Sequence, residues 1–299
     1  MSDAETGPAA PAFSWPAGYR AAACFTFDVD AESAILAFDP AAASRRSVMS
    51  HQAYGPRTGA PRILGILERV GIRATFFVPG YSAERWPATV RSMAAAGHEI
   101  AHHGYLHESV AGLSREAEEA VLVRGLAALD AVTGRAPSGW RAPMWEASWS
   151  SAELLHKHGF RYDSSLMDSD QPYLLAAGDT GSLVELPIHW SLDDWEPYVY
   201  LPDLSGSGAI ASPSEVIARW TLELDAMVAS GGLFNLTNHP FVSGRPSRAA
   251  GLETLIRHAR SIDGLWIATC DEIARWVEQL PLEPVDDQRP ELPQIDALG

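Results

Sequence analysis

The sequence predicts an α/β fold, a (β/α) barrel of seven or eight parallel strands in a single domain. Three observations lead there. Short apolar runs alternate with amphipathic helical patterns along most of the chain, and strands separated by helices pair in parallel through right-handed crossovers. Polar residues of catalytic type recur at the C-terminal ends of those apolar runs, the rim where barrel enzymes carry their sites. A length of 299 residues with 46% hydrophobic content, 24 Gly and 21 Pro supports a sizeable core carrying long structured loops.

The first strand, 22–28, is the apolar run Ala-Ala-Cys-Phe-Thr-Phe-Asp. A helical pattern at 61–70 leads to a second strand at 72–78, and one at 83–96 to a third at 98–102. The long pattern at 114–133 precedes a strand at 139–142, and that at 148–158 precedes one at 160–164. A sixth strand is read at 184–188. The patterns at 214–229 and 247–261 then precede strands at 233–238 and 265–269, and a final helix covers 271–280. Apolar, β-branched and aromatic content over four to eight residues identifies the strands, and recurrence at three to four residues the helices. The domain is thus expected over 13–280, between a flexible N-terminus (1–12) and an acidic, proline-rich tail (281–299).

Asp28 and Asp30 close the first strand, and His103 and His107 follow the third. Two carboxylates and two imidazoles are enough to hold a divalent cation and leave one carboxylate free as a base. Histidines four apart project to one side of a helical turn and can reach one ion. Two nitrogens and one oxygen suit zinc and its neighbours, with positions left for water and substrate. The chain therefore reads as a metal-dependent hydrolase. His98-Glu99-Ile100-Ala101-His102 also matches the pattern of zinc proteases. That chemistry needs a helix, but Gly97 is placed to end the helical stretch before it. In a strand the two histidines would lie about 13 Å apart, which leaves Glu99 as a structural partner and His102 as a packed or supporting residue.

A formal charge of −16 argues against nucleic acid and anionic membranes as partners, since both require a cationic face. Cys24 and Cys270 suggest buried thiols rather than a disulfide framework. Residues 1–11 lack a basic stretch followed by an apolar one, and no apolar run is long enough to span a bilayer. A cytoplasmic location is expected.

Five segments occur in order: Thr26-Phe27-Asp28-Val29-Asp30, His103-Gly104-Tyr105-Leu106-His107, Arg141-Ala142-Pro143-Met144-Trp145, Tyr162-Asp163-Ser164-Ser165 and Leu236-Thr237-Asn238-His239-Pro240. This set resembles the five motifs of the polysaccharide deacetylases over roughly residues 20–275. The resemblance implies a distorted (β/α) barrel and hydrolysis of C–N amide bonds, usually N-acetyl groups on sugars. It implies that Asp28 is the general base and that Asp30, His103 and His107 hold zinc or a similar ion. His239 would be the general acid, Arg141 would orient Asp28, and Asp163 would tune His239. The family usually has adjacent aspartates in the first motif, whereas Val29 separates them here. That spacing is similar to the branch containing the Helicobacter peptidoglycan deacetylase homologue, allantoinases that work without metal, and cyclic imide hydrolases. A homo-oligomer, specifically a tetramer, is implied as well.

Two long segments are expected to select the substrate. Residues 32–60 begin with Glu32 and carry Arg45, Arg46, His51, Tyr54 and Arg57; residues 189–213 carry Trp190, Asp193, Asp194, Trp195, Tyr198 and Tyr200. As loops at an active rim they read as lids, or as a subunit interface rich in aromatics. The residues placed at substrate are Trp145, Asp170, Trp195 and Glu32. A closed aromatic pocket suits a small cyclic imide, ureide or amide. The alternatives are an N-acetyl sugar deacetylase and a binding protein without catalysis on the same barrel.

Overall fold

The computed structural model describes residues 13–179, 181–200, 210–287 and 289–290. Its strands are β1 (Ala21–Asp28), β2 (Thr75–Val78), β3 (Glu99–His102), β4 (Gly139–Trp140), β5 (Tyr162–Asp163), β6 (Tyr173–Ala177), β7 (Gly181–Glu185), β8 (Leu233–Asn238) and β9 (Leu265–Ile267). They form one curled sheet in the order β6-β7-β5-β4-β3-β2-β1-β8, with β9 also on β1. Only β6 runs antiparallel to its neighbour. The eight parallel strands meet the sequence expectation, and the fold is a distorted barrel open along one side.

All eight residues of β1 are buried, because helices or strands cover both of its faces. One flank pairs with β8 from Ala22↔Leu233 to Phe27↔Asn238. The other pairs with β9 at its start and with β2 at its end. The largest apolar cluster lies between this part of the sheet and the helices Ala60–Val70, Pro213–Ser230 and Pro246–Ser261.

No strand ladder joins β8 to β7, and a side chain spans the gap instead. Asn235 Nδ2 lies 3.1 Å from Ser164 Oγ, 3.3 Å from Leu186 O and 3.1 Å from Pro187 O. Farther along, an isolated bridge pairs Asp193 with Thr237.

Several expected elements are corrected. The strand read at 184–188 lies three residues earlier, because Pro187 has no N–H to give to a ladder. Its hairpin partner β6 is absent from the sequence reading. The helix read at 83–96 is two, Gly80–Arg85 and Pro87–Ala95, since Pro87 starts a new helix rather than continuing one. Residues 32–60 are helical rather than a loop, as Ser33–Phe38, a 3₁₀ turn at Pro40–Ser44, Arg46–Tyr54 and a π turn at Gly55–Gly59. This strap is clasped by Pro240–Ser243, the turn after His239. A Cβ on Gly59 would sit 1.9 Å from Pro240 O, so only glycine fits that contact. The proline-rich segment from 281 begins as a docked one: Val285 pairs with β6, donating to Leu174 O at 2.7 Å and accepting from Ala176 N at 2.8 Å. The expected flexible N-terminus (1–12), residues 201–209 of the second expected loop, and 291–299 of the tail lie outside the described residues. No helix among the described residues is long and apolar enough to cross a membrane.

Replacing Asn235 by Ala leaves the buried Pro187 carbonyl without its donor and Leu186 O with Ser164 Oγ alone. The loss of unfolding free energy is expected to be about 2 kcal/mol, read by chemical denaturation. Unchanged stability would mean that loop packing alone closes the barrel.

Candidate active site

The first element of the site is a buried cation. Arg141 follows β4 with no exposed surface, where an unpaired charge would be prohibitively costly. Its Nη1 donates to Asp28 Oδ1 at 2.9 Å, Thr26 Oγ1 at 2.9 Å and Thr237 Oγ1 at 3.1 Å. Nε and Nη2 donate to Ser164 O and Ser164 Oγ, both at 3.1 Å, and the guanidinium lies 4.0 Å from the centre of the Phe77 ring. Asp28 is thereby fixed at the end of β1 with its second oxygen turned inward, 3.8 Å from His103 Nε2. The structure thus brings Arg141 and Asp28 into one buried ion pair.

Asp30 is the second element. Ser33 and Ser82 hydroxyls both donate to its backbone carbonyl, yet neither of its buried carboxylate oxygens has a hydrogen-bond partner. Oδ1 lies 3.6 Å from His103 Nε2, and Oδ2 lies 3.8 Å from His107 Nε2. His103 Nδ1 donates to Arg141 O at 2.8 Å, so its proton sits on Nδ1 and the Nε2 lone pair faces Asp30. Burial and the neighbouring His107 push the His103 pKa down to about 3, which keeps the ring neutral. A bare buried carboxylate facing two imidazole nitrogens fits a divalent cation. The path to this arrangement differs from the sequence reading, because His103 to His107 is not a helical turn. Gly104 at φ 73 and His107 at φ 63 fold a loop that brings the two rings to 4.9 Å.

The third element is His239, immediately after β8. Its Nε2 lies 3.6 Å from Asp30 Oδ2. Its Nδ1 donates to Asp194 Oδ1 at 2.7 Å, and its backbone N donates to Asp194 Oδ2 at 2.9 Å. Asp193 Oδ1 lies 3.6 Å from the same Nδ1. Burial alone would lower the His239 pKa, but Asp193 and Asp194 hold it well above the ordinary histidine value. The carboxylates beside His239 are therefore Asp193 and the hydrogen-bonded Asp194, rather than Asp163. Asp163 accepts from Ser164 N and Ser165 Oγ and so shapes the turn after β5, while its own pKa is raised by burial to about 7. Asp194 carries a legible clue only in hindsight, as an acid in an aromatic loop when a buried catalytic histidine needs an acidic partner.

Asp28, Asp30, His103, His107, Asp193 and His239 line a cavity of about 280 Å³ with Met144, Trp145, Trp190, Trp195 and Glu196. Trp145 stacks on Trp190 with ring centres 4.4 Å apart, and Trp195 packs edge-on to His239 at 5.4 Å. Trp145 and Trp195 thus stand where substrate-binding residues are expected. Glu32 and Asp170 do not. The Glu32 carboxylate is buried against Arg85 Nε at 3.0 Å and Trp86 Nε1 at 2.7 Å, bracing the strap. Asp170 is exposed beside a separate hollow at the β7–β8 gap, its backbone carbonyl accepting from Leu233 N. The protease-like segment is likewise structural. Glu99 begins β3 at the far end of the barrel and accepts from Thr75 Oγ1, Tyr162 OH and Asp271 N. His102 donates to Leu122 O at 3.1 Å. Among the described residues, the four non-glycine residues with positive φ are Ala31, His107, Met144 and Trp145, all at this rim.

The chain is 33% identical over 251 residues to the peptidoglycan deacetylase of Helicobacter pylori, an overlap covering 76% of this chain and 86% of that protein. The chain belongs to the polysaccharide deacetylase family. The family model for polysaccharide deacetylase matches residues 41–162. A candidate polysaccharide deacetylase from Mycobacterium smegmatis has a solved structure 55% identical, with a TM-score of 0.92, covering 96% of this chain and all of that one. The Puue allantoinase is 25% identical with a TM-score of 0.78, covering 93% of this chain and 96% of its own. Membership makes the protein a hydrolase of C–N amide bonds, and the Asp30, His103 and His107 cluster is its potential metal centre.

Asp194→Asn removes one of the two charges that hold the His239 proton, and the one hydrogen-bonded to it. The imidazole is then expected to titrate at least about one pH unit lower, read from its NMR resonances. An unchanged titration would leave Asp193 as the controlling carboxylate.

Proposed function

We propose that this protein hydrolyses the amide of an N-acylated amino sugar, using a divalent cation held by Asp30, His103 and His107. The observation that carries this reading is the bare, buried Asp30 carboxylate between an Arg-anchored aspartate and an Asp-paired histidine. Two nitrogens and one oxygen favour zinc. When bound, the cation supplies Lewis acidity toward the amide carbonyl. The chain's own groups handle the protons. Asp28, fixed by Arg141, accepts one from the attacking water. His239, held charged by Asp193 and Asp194, gives one to the departing nitrogen. The stacked Trp145 and Trp190 offer a flat apolar face to a ring. The name of the Helicobacter relative supports the amino sugar more directly than it supports the small imide expected from the sequence.

A second reading, hydrolysis of a small cyclic imide or ureide, is favoured by the size of the tryptophan-walled cavity and by the likeness to the allantoinase. We further propose a cytoplasmic setting, in keeping with two buried cysteines that are free thiols.

Asp30→Ala, His103→Ala and His107→Ala are expected to lose bound metal and turnover together. Asp28→Asn is expected to keep the metal and lose about 10² to 10⁴ in rate. Metal analysis is paired with acetate release from N-acetylglucosamine oligomers and ring opening of succinimide and hydantoin. Ring opening without acetate release would install the second reading, and full turnover by metal-stripped protein would remove the metal from both.

A further inference from the structure

Beside the catalytic cavity lies a groove of about 660 Å³, more than twice the cavity's 280 Å³. One wall is the helix Ser33–Phe38, which begins three residues after Asp30 and contributes Ile35, Leu36 and Phe38. Leu106 and Leu113 form the other. His107, Met144 and Trp195 line both spaces, so the groove continues from the cavity rather than standing apart. Its surface is apolar and wet: Phe38 is 70% exposed, Met144 47% and Leu113 36%. The acid on its wall, Glu108, spends a carboxylate oxygen on the backbone amides of Tyr105 and Leu106. Apolar surface gathered at the mouth of a site marks a place for an apolar ligand.

The position of the groove says which half of the substrate enters it. It includes His107 from the metal cluster, while His239, Asp193 and the Trp145–Trp190 stack line only the catalytic cavity; Trp195, which packs on His239, lines both. The carbonyl has to face the metal cluster and the departing nitrogen has to face His239. An arm lying in the groove therefore belongs to the acyl half.

We propose that this groove receives the acyl chain of the amide, and that acyl groups longer than acetyl are the preferred ones. The proposal rests on the amide-hydrolysis reading of the adjacent site. Chain length leaves the chemistry balanced: the water oxygen bonds to the carbonyl carbon and the C–N bond breaks. The acyl half departs as a carboxylate, and the nitrogen leaves as an amine carrying the proton from His239.

The test uses the metal-loaded full chain and the straight-chain hydroxamates from acetyl to octanoyl. Binding is followed by calorimetry, and amine release is followed from the matching N-acylglucosamines. Affinity is expected to rise about threefold per methylene, at least a hundredfold from acetyl to octanoyl. In Phe38→Asp and Leu113→Asp, the octanoyl-to-acetyl ratio within each variant is expected to collapse toward one. Both positions face solvent, so folding is not at stake. A flat series on protein that binds and hydrolyses the acetyl compounds overturns the groove assignment and leaves the amide reading intact. A flat series accompanied by loss of an oligomer in Phe38→Asp, seen by sedimentation, overturns it in favour of a second copy covering the groove. Failure to bind or cleave any member, acetyl included, removes both readings.

Discussion

The rim depends on one buried guanidinium. Arg141 extends from the end of β4 and ties together groups on β1, on β8 and after β5. Removing one partner of such a buried pair costs about 3–5 kcal/mol, because the other charge is left uncompensated. Its ion pair with Asp28 therefore serves two ends at once. It satisfies a cation that has no access to water, and it fixes a carboxylate that has to meet the substrate at a set angle. Because Arg141 O also accepts from His103 Nδ1, the same residue sets the tautomer of a proposed metal ligand. Base and ligand cannot drift independently.

That dependence explains which parts of the site were legible in the sequence. Asp28, Arg141, His103 and His239 sit within one or two residues of strand ends, and short apolar strands betray their ends well. The barrel itself was readable for the same reason. Relations across space were not. Asp163 and Asp194 are both acids near a strand or loop, and only the fold shows that the second reaches His239 while the first turns toward two serines. Glu32 lies next to the catalytic aspartates in sequence, yet Arg85 and Trp86 draw it the other way.

The strap at 32–60 failed to read as helix for a physical reason. Its helices are short, and Arg46–Tyr54 buries only Gln52 and Ala53 fully, with the adjacent Val48 and Met49 half-buried against the main apolar cluster. No apolar stripe of helical period marks it. The β6–β7 hairpin was obscured because β6, Tyr-Leu-Leu-Ala-Ala, carries no β-branched residue and no apolar–polar alternation. Backbone strain gathers where chemistry does: Ala31, His107, Met144 and Trp145 adopt left-handed angles, a conformation costing about 1–2 kcal/mol for residues with a Cβ. The hydrogen-bonded frame behind them holds that strain.

An unclosed barrel leaves an end strand whose main-chain groups could recruit a strand from another molecule. Val285 occupies that place on β6, so a segment outside the repeating barrel units acts as a guard against edge-to-edge aggregation. A version of the chain ending at the last helix would retain every catalytic group and present bare amides on its flank. Its solubility, rather than its chemistry, would be the first property lost.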